Sequence, residues 1–273
     1  MAAIVCGVDG SAASRAAARL SAALARRLGL ALVFDHALPS AGDRADVLAM
    51  LEELRRDLDV PTARLRVDIG RAAERLTAAS RDAALVVVGG ADDQADRMSF
   101  GGSVRAALAR DARCPVAVVP AVPRLGGRKV ICGVRDWADV ATATAAHRFA
   151  DALGLPLLLM HILPPAAGRG EAPSTLPLVA RPWDHDAAYR LLEAVAETVG
   201  GAPTLSVELG SAGRRLAREA AAGEAGLVVV GAPTRGRLGA ALTGSASAHL
   251  MRRSQRPLVI CRGAAAPGLP QAF

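Results

Sequence analysis

The chain has 273 residues, of which 52% are hydrophobic and only 3% aromatic. The length predicts two domains, and the scarcity of aromatic residues predicts cores of small aliphatic side chains, as in parallel sheets covered by helices. The net charge of +7 is spread over several predicted helices with few aromatic side chains for base stacking, which argues against nucleic acid as a partner. Residues 153–163, the longest apolar stretch, are too few to cross a bilayer and no basic leader begins the chain, so a cytoplasmic protein without membrane contact is expected.

In the first half, short apolar runs alternate with segments of helical periodicity, which is typical of βαβ units. Ser11 is the predicted N-cap of the first helix. Apolar stripes mark this helix at Ala13, Ala17, Leu20, Leu24 and Leu28, and the next at Val47, Leu51, Leu54 and Leu58. Strands are predicted at residues 3–8, 31–35, 65–69, 85–88 and 116–119, and two further helices at 71–79 and 103–110.

The second half repeats the first. Residues 4–8 match residues 130–134 at an offset of 126, and His36 matches His161 at an offset of 125. Later matches have larger offsets, 140 between the glycines that end VDIG and VELG (Gly70 and Gly210) and 142 between LVVVGG and LVVVGA. The difference places about fifteen extra residues in the Pro/Gly-rich stretch 164–182, which we predict to be a surface loop.

The repeat predicts two tandem domains, here called the first copy (residues 1–122) and the second copy (residues 127–263). Pro and Gly residues mark residues 123–127 as the linker, and residues 264–273 are predicted to be a loose tail. Each copy should form an open parallel sheet of five strands flanked by four helices, an α/β fold with its ligand crevice at the carboxyl ends of the strands.

The four cysteines show no metal-ligand spacing, and we expect buried, reduced thiols and no metal site. They are Cys6, Cys114, Cys132 and Cys261.

The segment after the fourth strand of each copy has the layout of a phosphate site. In the first copy LVVVGGADDQADRMSFGGSV leads into a helix predicted to open at Ser103, and in the second LVVVGAPTRGRLGAALTGSA leads into one opening at Ser245. Glycines let the backbone approach an anion, and the free amides at a helix start attract negative charge.

On these motifs, together with Val-Asp-Gly-Ser at residues 8–11, His36 and Arg-Cys-Pro-Val-Ala-Val-Val from Arg113, the chain resembles the universal stress protein family. Nucleotide-binding members of that family have Gly-x2-Gly-x9-Gly-Ser/Thr after strand four. The resemblance implies the adenine nucleotide alpha hydrolase-like fold in two tandem copies. It places adenine and ribose contacts at Val8, Asp9 and Ala37, phosphate contacts at Gly89, Gly102, Ser103 and Val104, and the matching positions of the second copy at Gly231, Gly244 and Ser245.

The first copy departs from the motif at its second glycine, which is Asp92 here, with Asp93 and Asp96 close by. Three carboxylates repel phosphate unless Arg97 or a metal ion compensates. These carboxylates match no complete EF-hand loop, so a solvated acidic loop is the preferred interpretation.

The second copy departs differently. Thr234 replaces the second glycine, Arg235 and Arg237 favour phosphate, and Arg135 stands where the first copy has Asp9. The residues that would contact the adenosine end of a nucleotide are therefore better matched in the first copy, and those that would contact its phosphates are better matched in the second. We expect Trp137 to fill part of the vacated pocket in the second copy.

The expected function is regulatory: a non-enzymatic stress-response protein that binds ATP, with Mg²⁺ only as its companion. His36 and His161 are interpreted as structural residues at the pocket rim. The resemblance also implies that residues 116–119 and 258–261 pair the copies into an intramolecular pseudo-dimer, and a homodimer stays open. Two alternatives also stay open: a nucleotide-processing enzyme, for which no Walker loop is present, and a scaffold that has lost nucleotide binding.

Overall fold

The computed structural model describes residues 2–40, 43–90, 104–121, 127–164, 185–222, 225–232 and 246–262. In the first copy the elements are β1 (Ala3–Gly7), α1 (Ala12–Leu28), β2 (Ala31–Leu38), α2 (Arg44–Asp57), β3 (Arg64–Ile69), α3 (Ala72–Ala79), β4 (Ala83–Gly89), α4 (Val104–Asp111) and β5 (Val116–Val119). In the second copy they are β6 (Lys129–Gly133), a 3₁₀ turn (Trp137–Asp139), α5 (Val140–Leu153), β7 (Leu157–Leu163), α6 (His185–Val199), β8 (Thr204–Leu209), α7 (Ala212–Ala222), β9 (Ala225–Gly231), α8 (Ala246–Arg253) and β10 (Leu258–Cys261).

The strands form one sheet of ten, in the order β3-β2-β1-β4-β5-β10-β9-β6-β7-β8. Neighbouring strands within each copy are parallel. The two copies join where β5 and β10 pair antiparallel, with Ala117 opposite Val259. The expected pairing of residues 116–119 with 258–261 is therefore present, and each strand covers the edge of the other.

Helix α1 shows how the local sequence determines an element. Its N-cap is Ser11, as predicted, and the Ser11 hydroxyl accepts a hydrogen bond from the Ser14 amide at 3.1 Å. Gly29 ends the helix in the left-handed conformation, with φ of 64°, which glycine adopts without strain. The small side chains between these ends let α1 pack closely on the sheet.

The hydrophobic core lies on both faces of the sheet. On one face a single cluster extends through both copies and includes the fully buried Phe34 and Phe149. The other face has two clusters, one centred in each copy, and Met251 packs against both. Arg27 also donates a hydrogen bond to the carbonyl of Ala152 at 3.1 Å, which links α1 to α5 across the junction.

The strands of the first copy agree with the predicted ones to within three residues at each end. The largest difference is in β2, which was predicted to end at Asp35 but continues to Leu38. Pairing of His36, Ala37 and Leu38 with β3 extends the strand, so His36 lies within β2 and not at its end. No helix in the described ranges is long and apolar enough to cross a membrane.

Candidate functional site

The first copy contains a cavity of about 360 Å³ at the carboxyl ends of β1, β2 and β4. Strand β1 pairs with β2 on one side and with β4 on the other, so the chain direction across the sheet reverses here. Ligands of open α/β sheets bind at such switch points. The cavity is lined by Gly7, Val8, Asp9, Asp35, His36, Ala37, Ala72, Leu76, Val88, Gly89, Gly90, Val104 and Arg105.

Five of the seven positions predicted for the first copy fall in the described ranges, and all five line this cavity. They are Val8, Asp9, Ala37, Gly89 and Val104. These residues come from three strand ends and one helix start, so the fold brings together positions that are distant in sequence. Gly102 and Ser103 lie outside the described residues, as do Asp92, Asp93, Asp96 and Arg97.

Asp9 combines exposure with an ionised side chain. Its carboxylate accepts a hydrogen bond from the amide of Ser11 at 3.0 Å, which forms the turn before α1. Burial acts to raise the pKa of Asp9, but hydrogen bonds involving Ser11 and Ser14 outweigh it, and the pKa lies below its ordinary value of 3.8. A stable negative charge therefore stands at the cavity mouth at neutral pH.

His36 fixes the loop in which Asp9 lies. Its Nδ1 is 2.7 Å from the carbonyl oxygen of Val8, and because a carbonyl only accepts, Nδ1 must donate its proton there. His161 makes the same contact with Val134 in the second copy, at 3.0 Å. For His36, which lines the cavity, this contact agrees with the predicted structural role at the pocket rim, and His161 makes the equivalent backbone contact.

Two charged residues of the wall were not predicted. Asp35 is only 3% exposed and forms an ion pair with Arg66 of the neighbouring strand. Arg105, in the first turn of α4, is 8% exposed. A buried charge is costly unless it is compensated, so both residues mark a polar environment inside the site. The sequence signals were a charged residue in an apolar strand and an arginine directly after the Gly-Ser-Val motif.

Gly89 has a packing role that the motif alone did not reveal. A Cβ atom at this position would lie 2.8 Å from both the carbonyl carbon of Ala13 and the amide nitrogen of Ser14. Real Cβ contacts of that length with backbone atoms do not occur without displacement. Glycine is required here so that the start of α1 can approach β4.

The same region of the second copy is arranged differently. The carboxylate of Asp139 accepts hydrogen bonds from the amide and the guanidinium of Arg135, and a Cβ at Gly231 would overlap Oδ1 of Asp139. Trp137 was expected to fill part of the vacated pocket, but this expectation is wrong because the residue is 54% exposed. Gly244, Ser245, Thr234, Arg235 and Arg237 lie outside the described residues.

Comparison with known families identifies the chain. The model of the universal stress protein family matches residues 1–120 and 128–262. The chain belongs to this family. The two matched segments correspond to the two halves of the ten-stranded sheet, so this universal stress protein has two tandem copies of the family's domain.

Solved structures agree with this fold. A universal stress protein from Archaeoglobus fulgidus DSM 4304 is 18% identical, with a TM-score of 0.69 and coverage of 95% of this chain and 98% of that one. A putative universal stress protein from Pseudomonas aeruginosa UCBPP-PA14 is also 18% identical, with a TM-score of 0.67 and coverage of 96% and 93%. The comparison with curated proteins gives no match. At these identities the similarity establishes the fold alone.

Proposed function

We propose that this universal stress protein binds an adenine nucleotide, ATP in the first instance, in the cavity of the first copy and acts as a non-enzymatic regulator. The observation that supports the proposal is the convergence of Val8, Asp9, Ala37, Gly89 and Val104 on one cavity. The family resemblance implies these positions as nucleotide contacts, and their meeting at the switch point of the sheet favours a shared ligand.

The chemistry of the wall suits the two ends of a nucleotide. The ionised carboxylate of Asp9 can accept hydrogen bonds from an amino group or ribose hydroxyls. Val8, Ala37 and Val88 offer apolar surface to a base. Arg105 adds positive charge at the first turn of α4, where the helix dipole also favours an anion. Mg²⁺ would accompany the phosphates as part of the ligand.

The described side chains near the cavity favour binding over turnover. Nδ1 of His36 is occupied by its bond to Val8, so this ring serves to fix the loop. The Cys6 thiol, in the strand that ends at the cavity, is buried, and burial raises its pKa to about 12. A thiol with that pKa is protonated at neutral pH and is a poor nucleophile. We therefore assign the site to ligand sensing.

Calorimetric titration of the nucleotide-stripped protein with ATP and Mg²⁺ tests the proposal. Asp9→Ala protein should lose saturable binding, because it lacks both the charge and the acceptor. Asp136→Ala is the matched control, since Asp136 accepts a hydrogen bond from the amide of Ala138 at 2.9 Å in the second copy. It removes the same kind of turn bond outside the cavity and should bind normally.

Two results would contradict the proposal. The first is a folded protein that gives no heat of binding with ATP, ADP or AMP. The second is nucleotide binding that is equal in wild-type and Asp9→Ala proteins. Steady release of phosphate from ATP by the purified protein would contradict the non-enzymatic assignment in particular.

A further inference from the structure

The second copy differs from the first at two positions whose side chains contact each other. Arg135 stands where the first copy has Asp9, and Asp139 stands where it has Ala13, both at the offset of 126 that relates β1 to β6. The backbone hydrogen bonds around these positions are the same in both copies. The amide of Val8 donates to the carbonyl oxygen of Asp35, and the amide of Val134 donates to the carbonyl oxygen of Met160, each at 2.9 Å.

Arg135 and Asp139 form a closed pair in the second copy. Oδ2 of Asp139 accepts hydrogen bonds from the amide of Arg135 at 2.8 Å and from its Nε at 3.0 Å, while Oδ1 accepts from Nη2 at 3.0 Å. Asp139 is 3% exposed. A carboxylate with these three donors has its charge compensated within the protein, in the bidentate geometry that makes such pairs strong.

The pair lies across the position of the first-copy cavity. Nη2 of Arg135 also reaches the carbonyl oxygen of Ala232 at 3.5 Å, so the guanidinium extends from the end of β6 to the end of β9. Ala232 corresponds to Gly90, which lines the cavity in the first copy. The Asp139 carboxylate lies directly against Gly231, the counterpart of Gly89.

Three more replacements make the second copy less suited to a nucleotide. Ile162 replaces Ala37 and packs against the apolar cluster of the second copy. Met160, which is buried, replaces the charged Asp35. Ser247 replaces Arg105 at the start of the last helix. The second copy thus has bulkier apolar side chains and fewer charges at the positions that line the first-copy cavity.

We infer that the Arg135–Asp139 pair closes the second site, so that the chain binds one nucleotide, in the first copy only. Residues 9 and 13, with their counterparts 135 and 139, are the positions that decide which copy binds. A ligand entering the second copy would have to displace the Arg135 side chain, which is 47% exposed, from the Asp139 carboxylate, which is 4% exposed. This is strongly unfavourable because it leaves a buried negative charge without its counter-charge. The inference rests on the proposed function.

Exchange of the deciding residues tests the inference. Arg135→Asp combined with Asp139→Ala gives these two positions of the second copy the residues of the first, and calorimetric titration with ATP and Mg²⁺ should show the stoichiometry rise from one to two. The reciprocal variant, Asp9→Arg with Ala13→Asp, should bind no nucleotide. Thermal unfolding of both variants, followed by circular dichroism, shows whether they are folded.

Different results separate this inference from the proposed function. Two sites in the wild-type protein, or one site in a folded Arg135→Asp/Asp139→Ala variant, would overturn the inference and leave nucleotide binding intact. If the wild-type protein binds nothing, the proposed function fails together with the inference of one bound nucleotide. The exchange then tests only whether the Arg135–Asp139 pair closes the second site.

A measurement without ligand tests the closed pair itself. Arg135→Ala and Asp139→Ala should each lower Tm, with the larger decrease for Arg135→Ala because it leaves the buried carboxylate with the backbone amide bond but without its counter-charge. The double variant should lower Tm by less than the sum of the two single shifts. Strictly additive shifts would mean that the two side chains do not interact in solution, and the inference would then be wrong.

Discussion

Replacement of Gly89 by alanine is expected to destabilise the first copy, because the added methyl group would meet backbone and not a movable side chain. The new Cβ would lie 2.8 Å from the carbonyl carbon of Ala13, from its Cβ and from the amide nitrogen of Ser14. These atoms form the start of α1, which Ser11 caps. Relief of the overlap therefore requires a shift of the capped helix start relative to β4.

The magnitude follows from the cost of overpacking, which is about 1–3 kcal/mol for an extra methylene in a well-packed site. For a chain of this size each kcal/mol shifts Tm by about 2–4 °C, so a decrease of about 2–12 °C is expected. Thermal unfolding followed by circular dichroism measures it. Because the methyl group also lies beside the cavity, ATP binding should weaken in the same variant.

Gly7→Ala is the matched control. Its Cβ would lie 2.9 Å from Leu76 Cδ1, the end of a side chain that can rotate away, so the expected cost is less than about 1 kcal/mol. Both glycines belong to the same cavity wall. Equal Tm values for the Gly89→Ala and Gly7→Ala proteins would refute the argument that α1 and β4 are in rigid backbone contact.

Two further predictions concern titrating groups. Burial raises the pKa of all four thiols, to about 12 for three of them and well above 9.0 for Cys132. Iodoacetamide at pH 8, followed by mass spectrometry, should therefore label the native protein slowly and the urea-unfolded protein fully. Fast labelling of the native protein would contradict the burial of the thiols. The pKa of His249 is lowered from 6.5 by burial and by the nearby charges of Arg252, Arg214 and Arg253. The unfolded chain therefore binds this proton more readily than the folded protein, so His249 causes no loss of stability above pH 6.5 and lowers the stability as the pH falls below it. Urea unfolding at pH 5 and pH 7.5 should show a smaller difference for His249→Gln than for the wild-type protein, and an unchanged difference would exclude this histidine as the cause.

The repeat made much of the fold predictable. Runs such as LVVVGG and LVVVGA are apolar throughout because β4 and β9 are buried inside the sheet, and such runs identify central parallel strands. The offset of 126 also aligned Asp9 with Arg135. These signals are local or depend only on self-comparison, so they can be read without knowledge of packing.

What the sequence did not reveal depends on contacts between distant segments. Asp35 and His36 look like the end of a strand, but Arg66 of β3 compensates the first and the Val8 carbonyl binds the second, so β2 continues. Arg105 was not predicted as part of the site, but it is buried in the cavity wall. Asp139 was overlooked because its effect depends on the short turn that directs its carboxylate back to Arg135.

The way the copies are joined explains why they could diverge. In a symmetric homodimer each substitution appears in both sites, whereas a tandem chain can change one copy alone. The junction depends on β5 and β10, whose paired residues Val116, Ala117, Leu258 and Val259 are buried. Replacement of β10 would expose the edge of β5. The second copy can therefore lose its site to the Arg135–Asp139 pair, but it must retain its edge strand for the first copy to stay covered.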